Sequence, residues 1–350
     1  DKRFYKAFSY SSFMKHTLRI TIVILAMFLI SQLLGVLIIN SYDSYFGRTA
    51  QQKVQQGKLV QPEVSIVKET VPPEVELKQP IDIAKVLISI GIAIVIATLL
   101  FFLLSRIKIT LLIKAWFAIV VFICLSIAIA LLIYPLLGTN LFTLFGKNIS
   151  LAEIIAVPLA IVLTFYKIIK RNIIVHNITE LLIYPGLAVI FLPLLNVIAA
   201  MILLIAISIY DIIAVWKTQY MIRLAKFQME HLKIFTGFFL PYLKPKDKAR
   251  VEKLRAIAKR EREKGKQVKL KKIKVPVQIA ALGGGDVAFP MIFAGTIFLA
   301  YGFIPAIITI LCTVLSLLFL FMFSERGKFY PAMPFLTAGC LLGLLIVLLI

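Results

Sequence analysis

Long apolar runs constrain the fold of this chain more than any other feature. A membrane-spanning helix needs about 20 mostly apolar residues, because lipid cannot satisfy exposed backbone N–H and C=O groups. Nine runs qualify, at residues 17–39, 83–105, 114–137, 151–168, 178–193, 195–216, 277–301, 304–323 and 331–350. Of the 350 residues, 61% are hydrophobic and 16% are charged, which excludes a soluble enzyme. The sequence therefore predicts an all-α polytopic protein of the cell membrane with nine transmembrane helices.

Lys and Arg residues predict the orientation of these spans, because cytoplasmic loops of membrane proteins carry an excess of both. Most of the 39 Lys and Arg residues precede the first span or lie in alternate connections, with 19 of them in residues 217–276. The N-terminus is therefore expected in the cytoplasm and the C-terminus outside. We expect two parts, an N-terminal bundle of five spans at residues 1–193 and a core of four spans at residues 194–350.

Two long connections lie outside the predicted spans. Residues 40–82 carry several prolines and are expected to form an outside loop with little regular structure. The basic cytoplasmic loop 217–276 is expected to be a solvated helix or a tether near anionic lipid headgroups. No aromatic residue accompanies its concentrated run of charge at residues 259–264, which disfavours nucleic-acid binding. Its apolar stretch 235–243 is too short to span and is expected at the membrane interface.

Two aspartates lie inside predicted spans, Asp211 in the sixth and Asp286 in the seventh. An ionisable group in hydrocarbon costs about 2.5–3.5 kcal/mol even on the mildest insertion scale, so such a residue faces the bundle interior and indicates function. Counted along ideal helices, the two acids would lie at different depths. They reach one level if the seventh helix begins late, near the three glycines at 283–285, with residues 275–282 extended.

Two carboxyl groups a few ångströms apart share one proton, which allows acid and base chemistry together. The ionised member can take a proton from a water that attacks an amide, while the protonated member donates to the carbonyl oxygen. Other interpretations stay open at this point. A single aspartate in a span is also typical of a proton or ion relay or of a helix–helix hydrogen bond, and adjacent glycines are typical of close helix packing.

The ninth span opens with two prolines, Pro331 and Pro334. Proline is ordinary in the first turn of a helix, where its missing N–H has no intrahelical partner. The second proline also leaves nearby backbone groups unpaired, which could dock a peptide strand. A simple helix start and a peptide-binding segment both fit this pattern.

Three motifs in this order resemble the presenilin and signal peptide peptidase family of intramembrane aspartyl proteases, in particular its archaeal presenilin-homologue branch. The family pattern is a YD dipeptide, a GxGD motif and a PAL motif. In this chain the motifs are Tyr210-Asp211, Leu282-Gly283-Gly284-Gly285-Asp286 and Pro331-Ala332-Met333-Pro334. The resemblance is specific over residues 177–340 and only topological before them.

The resemblance implies that Asp211 and Asp286 are the catalytic pair of an aspartic endopeptidase. It implies transmembrane-helix substrates that enter with the N-terminus outside, and it implies no cofactor and no metal. The expected substrate-binding set comprises Tyr210, Leu282, Gly283, Gly284, Gly285, Pro331, Ala332, Met333 and Pro334. Met333 departs from the family pattern, which usually has leucine there, and loop 217–276 does not resemble an autoprocessing segment.

A proton- or cation-coupled transporter or channel is the alternative function, with both aspartates as a relay and the glycines marking a broken helix. No convincing inverted repeat supports it. A zinc protease is disfavoured because no H-E-x-x-H motif occurs and the three histidines, His16, His176 and His231, lie outside the predicted span interiors. A membrane scaffold would leave the two aspartates unexplained. The natural substrate, the cleavage site, partner subunits and the oligomeric state are not readable from the sequence.

Overall fold

A computed structural model describes residues 18–56, 65–73, 79–106, 110–137, 141–144, 147–170, 172–217, 236–242, 278–324 and 330–350. Its α-helices are α1 (Leu18–Tyr45), α2 (Arg48–Gln55), α3 (Ser65–Thr70), α4 (Pro80–Arg106), α5 (Thr110–Leu137), α6 (Leu151–Phe165), α7 (Ile173–Phe191), α8 (Val197–Ile212), α9 (Gly284–Tyr301), α10 (Phe303–Phe323) and α11 (Met333–Leu349). Its strands are β1 (Leu141–Leu144), β2 (Lys147–Ser150), β3 (Gly237–Tyr242) and β4 (Gln278–Gly283). Within these ranges, eight helical segments are long and apolar enough to cross a membrane, and α11 is a shorter apolar helix. The predicted polytopic helical fold is confirmed.

The helices pack around α1, which contacts α5, α7, α9 and α10. Glycine sets the spacing where helices approach most closely. A Cβ added to Gly186 of α7 would lie 2.1 Å from the carbonyl oxygen of Cys124 in α5, and one added to Gly343 of α11 would lie 2.6 Å from the Cα of Thr309 in α10. Small residues at such crossings bring helix backbones into van der Waals contact, which drives helix association in lipid. The N-terminal and C-terminal halves therefore share one core, and the division at residue 193 stays a prediction.

The predicted outside loop contains more helix than expected. α1 continues to Tyr45, and α2 and α3 follow it. The Thr49 hydroxyl donates to the Asp43 carboxylate at 2.6 Å, which holds the turn between α1 and α2. The Ile66 amide of α3 donates to Glu153 of α6 at 2.7 Å. The prediction of little regular structure in residues 40–82 is wrong, because neighbouring side chains satisfy the backbone of these short helices.

α7 begins earlier than the fifth span was predicted to begin. The Asn172 side chain accepts a hydrogen bond from the Ile174 amide at 2.9 Å and starts the helix at Ile173 instead of residue 178. The helix therefore contains His176, which the sequence analysis placed outside the span interiors. A 3₁₀ turn at Leu192–Leu194, which contains Pro193, ends α7.

The chain before α9 is a strand and not a helix. β4 pairs with β3 in antiparallel register, from Gly237 opposite Gly283 to Tyr242 opposite Gln278. The seventh helix thus begins at Gly284, late in the predicted span, as the argument from depth required. The apolar stretch 235–243 is largely strand β3, because β4 supplies its backbone partners, and its place at the membrane interface stays a prediction. The rest of loop 217–276, beyond Lys217 and residues 236–242, lies outside the described residues.

Candidate active site

Two neighbouring helices carry the two aspartates that the sequence singled out. Asp211 lies in the last turn of α8, just before a π-helical turn at Ile213–Lys217, and its residue is only 6% exposed. Asp286 lies in the first turn of α9 and is half-buried. α8 packs against α9, and the charge of Asp211 acts on Asp286. The structure therefore brings the two acids together.

The glycines before Asp286 allow the backbone to approach its side chain. The Gly283 amide donates to the Asp286 carboxylate. A Cβ on Gly283 would lie only 3.0 Å from the Asp286 Oδ2 atom, so a larger residue would push this side chain aside. The N-terminal end of α9 also favours a negative charge in its first turn.

The segment that opens α11 holds Asp211. The Met333 amide donates to the Asp211 Oδ2 atom at 3.1 Å, and the Ala332 amide donates to the same carboxylate. Pro331 and Met333 are buried, and Met333 with Pro334 forms the first turn of α11. These two amides therefore bind Asp211, and the docking of a peptide strand on this segment stays a prediction.

A second polar contact ties α8 to α11 one turn from Asp211. The hydroxyl groups of Ser208 and Thr337 lie 2.6 Å apart, and the Thr337 hydroxyl lies 3.4 Å from the Leu204 carbonyl oxygen. Hydrogen bonds of this kind between spans offset the cost of a buried hydroxyl in lipid. They hold the last turn of α8 at a set distance from the start of α11.

The remaining residues of the expected substrate-binding set fall in different places. Tyr210 is 52% exposed on the surface of α8, whereas Leu282 is buried in the core, where its strand position pairs with Phe238. Gly284 packs against the Tyr184 hydroxyl of α7, and Gly285 is exposed beside Asp286. The backbone of the glycines at 283–285 thus lies at the site, whereas the Tyr210 and Leu282 side chains do not.

Sequence reasoning missed a group of polar residues on α6 and α7 behind these glycines. Lys167 and Glu180 form a buried ion pair there, and Tyr184 donates a hydrogen bond to Glu180. The available signal was one charged residue close to each of two predicted span ends, 168 and 178, where charged residues are ordinary. Among the residues described, no group of three or more His, Cys, Asp or Glu side chains is placed to hold a metal ion.

The comparisons with known proteins agree with this geometry. The family model for signal-peptide peptidase, presenilin aspartyl protease matches residues 79–350. The chain belongs to this family. The prediction of an aspartic endopeptidase that acts within the membrane is therefore confirmed.

Two solved structures of a presenilin family intramembrane aspartate protease share the fold of this family member. The structure in space group C222 has a TM-score of 0.57, with 19% identity over 94% of this chain and 98% of the other. The structure in space group P2 has a TM-score of 0.54, with 19% identity over 93% of this chain and 96% of the other. No curated protein matches the sequence.

Proposed function

We propose that this presenilin-family protein hydrolyses peptide bonds within transmembrane helices of membrane proteins, with Asp211 and Asp286 activating a water molecule. The observation that carries the proposal is the packing of α8 against α9, with Asp211 close enough for its charge to act on Asp286. Each is held by backbone amides, from Met333 and Ala332 on one side and from Gly283 on the other.

The reaction needs one ionised and one protonated carboxyl group. The ionised group takes a proton from water as the water oxygen bonds to the carbonyl carbon, and the protonated group donates its proton to the carbonyl oxygen. The tetrahedral intermediate then collapses, the C–N bond breaks, and the amine leaves with the proton taken from water. The proton on the former carbonyl oxygen returns to the aspartate pair. Because water attacks the carbonyl carbon directly, no acyl-enzyme forms.

A helical substrate must unwind before water can reach its carbonyl carbon, and the β3–β4 sheet offers a partner for the unwound segment. The outer edge of β3 is occupied. The amide and carbonyl of Phe239 both bind the Asn177 side chain, at 3.0 and 2.9 Å, and the Gly237 carbonyl accepts from His176 at 2.9 Å. Pro241, the next residue on that edge, has no N–H.

The outer edge of β4 is the position for a substrate strand. In an antiparallel pair, the amide and carbonyl of one residue point to the same edge, and alternate residues share that edge. The amide and carbonyl of Phe239 point away from β4, so those of its partner Ala281 point away from β3. The backbone groups of Ile279, two residues earlier, point to the same outer edge. Among the described residues, no third strand pairs with this sheet.

Ala281→Pro is expected to weaken cleavage by removing the N–H that faces the substrate strand while leaving the bonds to β3 intact. Since a net hydrogen bond contributes about 0.5–1.5 kcal/mol, kcat/KM should fall about 3-fold to 10-fold. Cleavage of a labelled transmembrane substrate measures this. Ala281→Val, which keeps the N–H, is the matched control. Equal kcat/KM in the two variants would contradict pairing at this edge.

Binding of a hydroxyl-bearing transition-state mimic tests the function itself. A mimic of the tetrahedral intermediate binds far more tightly than a substrate, by at least about 100-fold. Tight binding by the wild-type protein that is lost in Asp211→Ala and in Asp286→Ala is the expected result. Ion flux through liposomes that depends on the same two residues, with no mimic bound, would instead indicate the transporter.

The placement of the protein in the cell is also part of the proposal. The excess of Lys and Arg in residues 217–276 supports a cytoplasmic N-terminus, an outside C-terminus and contact with anionic lipid in the cell membrane. This orientation would favour substrates whose N-terminus lies outside.

A further inference from the structure

A buried ion pair lies between α6 and α7, behind the glycines of the site. The Lys167 Nζ and Glu180 Oε1 atoms are 2.5 Å apart, and both side chains are 2% exposed. Lys167 belongs to a π-helical turn, Tyr166–Lys170, that extends α6. Taking two charges out of water costs more than their attraction returns unless the surrounding hydrogen bonds are satisfied. A buried ion pair is therefore weak evidence for stability, and its role depends on what its hydrogen bonds hold in place.

The hydrogen bonds around this pair form one connected network. An ammonium group has three protons to donate, and Lys167 has acceptors in Glu180, in the Thr179 hydroxyl at 3.4 Å and in His176 Nδ1 at 3.3 Å. Because Nδ1 accepts, the proton of a neutral His176 is on Nε2, which donates to the Gly237 carbonyl at 2.9 Å. We call Lys167, His176, Thr179, Glu180 and Tyr184 the α6–α7 network.

One arm of the network ends at the start of the catalytic helix. His176 binds the Gly237 carbonyl, and Gly237 pairs with Gly283, the residue that caps α9. Asn177, next to His176, holds both backbone groups of Phe239. Strand β3 is therefore fixed to α7, and through β3 the backbone before Asp286 is fixed as well.

The second arm reaches the same glycines from the other side. Tyr184 donates to the second oxygen of Glu180 and packs edge-on against Phe238, with ring centroids 5.8 Å apart. A Cβ on Gly284 would lie 3.1 Å from the Tyr184 hydroxyl oxygen, so this oxygen lies directly against the first residue of α9. Asp286 is within electrostatic range of the same hydroxyl.

We propose that Lys167, His176, Glu180 and Tyr184 are positioning residues of the protease, which act on Asp286 through Gly283 and Gly284. The inference rests on the proposed function of Asp286. Both arms of the network end on the backbone immediately before this aspartate. Replacing a buried ion pair by apolar residues is often neutral for stability, so such a replacement tests the effect of the pair on the site separately from its effect on the fold.

Two variants separate positioning from simple stabilisation of the fold. Tyr184→Phe removes one hydroxyl, and Lys167→Met/Glu180→Leu removes both charges together, so that neither is left buried alone. Each is expected to lower kcat about 10-fold to 100-fold with KM unchanged and the protein still folded at the assay temperature, because small displacements of a reacting group have effects of this size. Tyr134→Phe is the matched control, since Tyr134 is equally buried and its hydroxyl has no partner among the described residues.

Amide hydrogen exchange gives a second measurement that needs no substrate. Residues 237–242 and 278–286 should exchange about 10-fold faster in both variants than in Tyr134→Phe, because the strand pair loses its attachment to α7. Asp286→Ala in the same series tests the proposed function: full activity there ends the catalytic role of Asp286, whereas exchange still decides the network. The positioning role would be overturned by unchanged exchange or by a kcat equal to that of Tyr134→Phe. It would also be overturned by a change confined to KM, or by an activity loss that only follows unfolding.

Discussion

Asp211→Ala and Asp286→Ala are each expected to lower the cleavage of a transmembrane substrate by at least about 10³-fold. General acid and base groups contribute about 10²-fold to 10⁴-fold each, and here one proton is shared by the two. The double variant should lose little more than either single variant, because residues that act as a unit have non-additive effects. Purified protein with a labelled membrane substrate, in matched amounts of detergent or lipid, measures these rates.

Asp43→Ala is the control for this series. Asp43 is also an aspartate with a hydrogen-bonded side chain, but its partner is Thr49 in the turn between α1 and α2. Its loss should leave the cleavage rate near that of the wild-type protein. Cleavage by either active-site variant at the rate of Asp43→Ala would end the two-aspartate mechanism.

Gly237→Ala is expected to have the second-largest effect, through the backbone before Asp286. Gly237 has a φ of +128°, which side chains rarely allow, and an added Cβ would lie 2.1 Å from the Leu282 carbonyl oxygen. Since this contact is with backbone, relief requires β3 and β4 to separate. Displacement of Gly283 by about 1 Å would lower kcat about 100-fold. Cleavage rate and hydrogen exchange in residues 278–283 measure the two effects.

Gly302→Ala isolates the contribution of the backbone conformation. Gly302 has a φ of +95°, but no atom lies within 4 Å of an added Cβ in the described structure. The variant should lose about 1–3 kcal/mol of stability from backbone strain and keep its kcat. A Gly237→Ala protein that cleaves as fast as Gly302→Ala would show that the strand pair does not position Asp286.

Much of the site could be predicted from residue types alone. Asp211 and Asp286 were found because a carboxyl group in an apolar run is costly wherever the helix packs. The late start of α9 followed from the glycines and from the need to bring both acids to one depth. The family, confirmed by the match over residues 79–350, followed from three short motifs in order.

The α6–α7 network could not be predicted in the same way. Lys167 and Glu180 lie near the ends of two different spans, where charged residues are ordinary, and the predicted start of the fifth span at 178 made Glu180 a boundary residue. The cap at Asn172 moved that boundary, so Glu180 is buried within the bundle and His176 lies half-buried one turn before it. The role of the Ala332 and Met333 amides could not be predicted either. Their acceptor is Asp211, which lies 122 residues before Met333 in the chain.

The sequence by itself determined that the chain crosses a membrane several times and that two acids lie in its spans. Both results depend on the free energy of transferring a single segment from water to lipid. The residue composition of that segment alone sets this free energy. Only the tertiary structure decided which helices meet, which strands pair and which buried charges pair. Those outcomes depend on contacts between segments far apart in sequence, where the packing of glycines and the satisfaction of each buried hydrogen-bonding group select one arrangement.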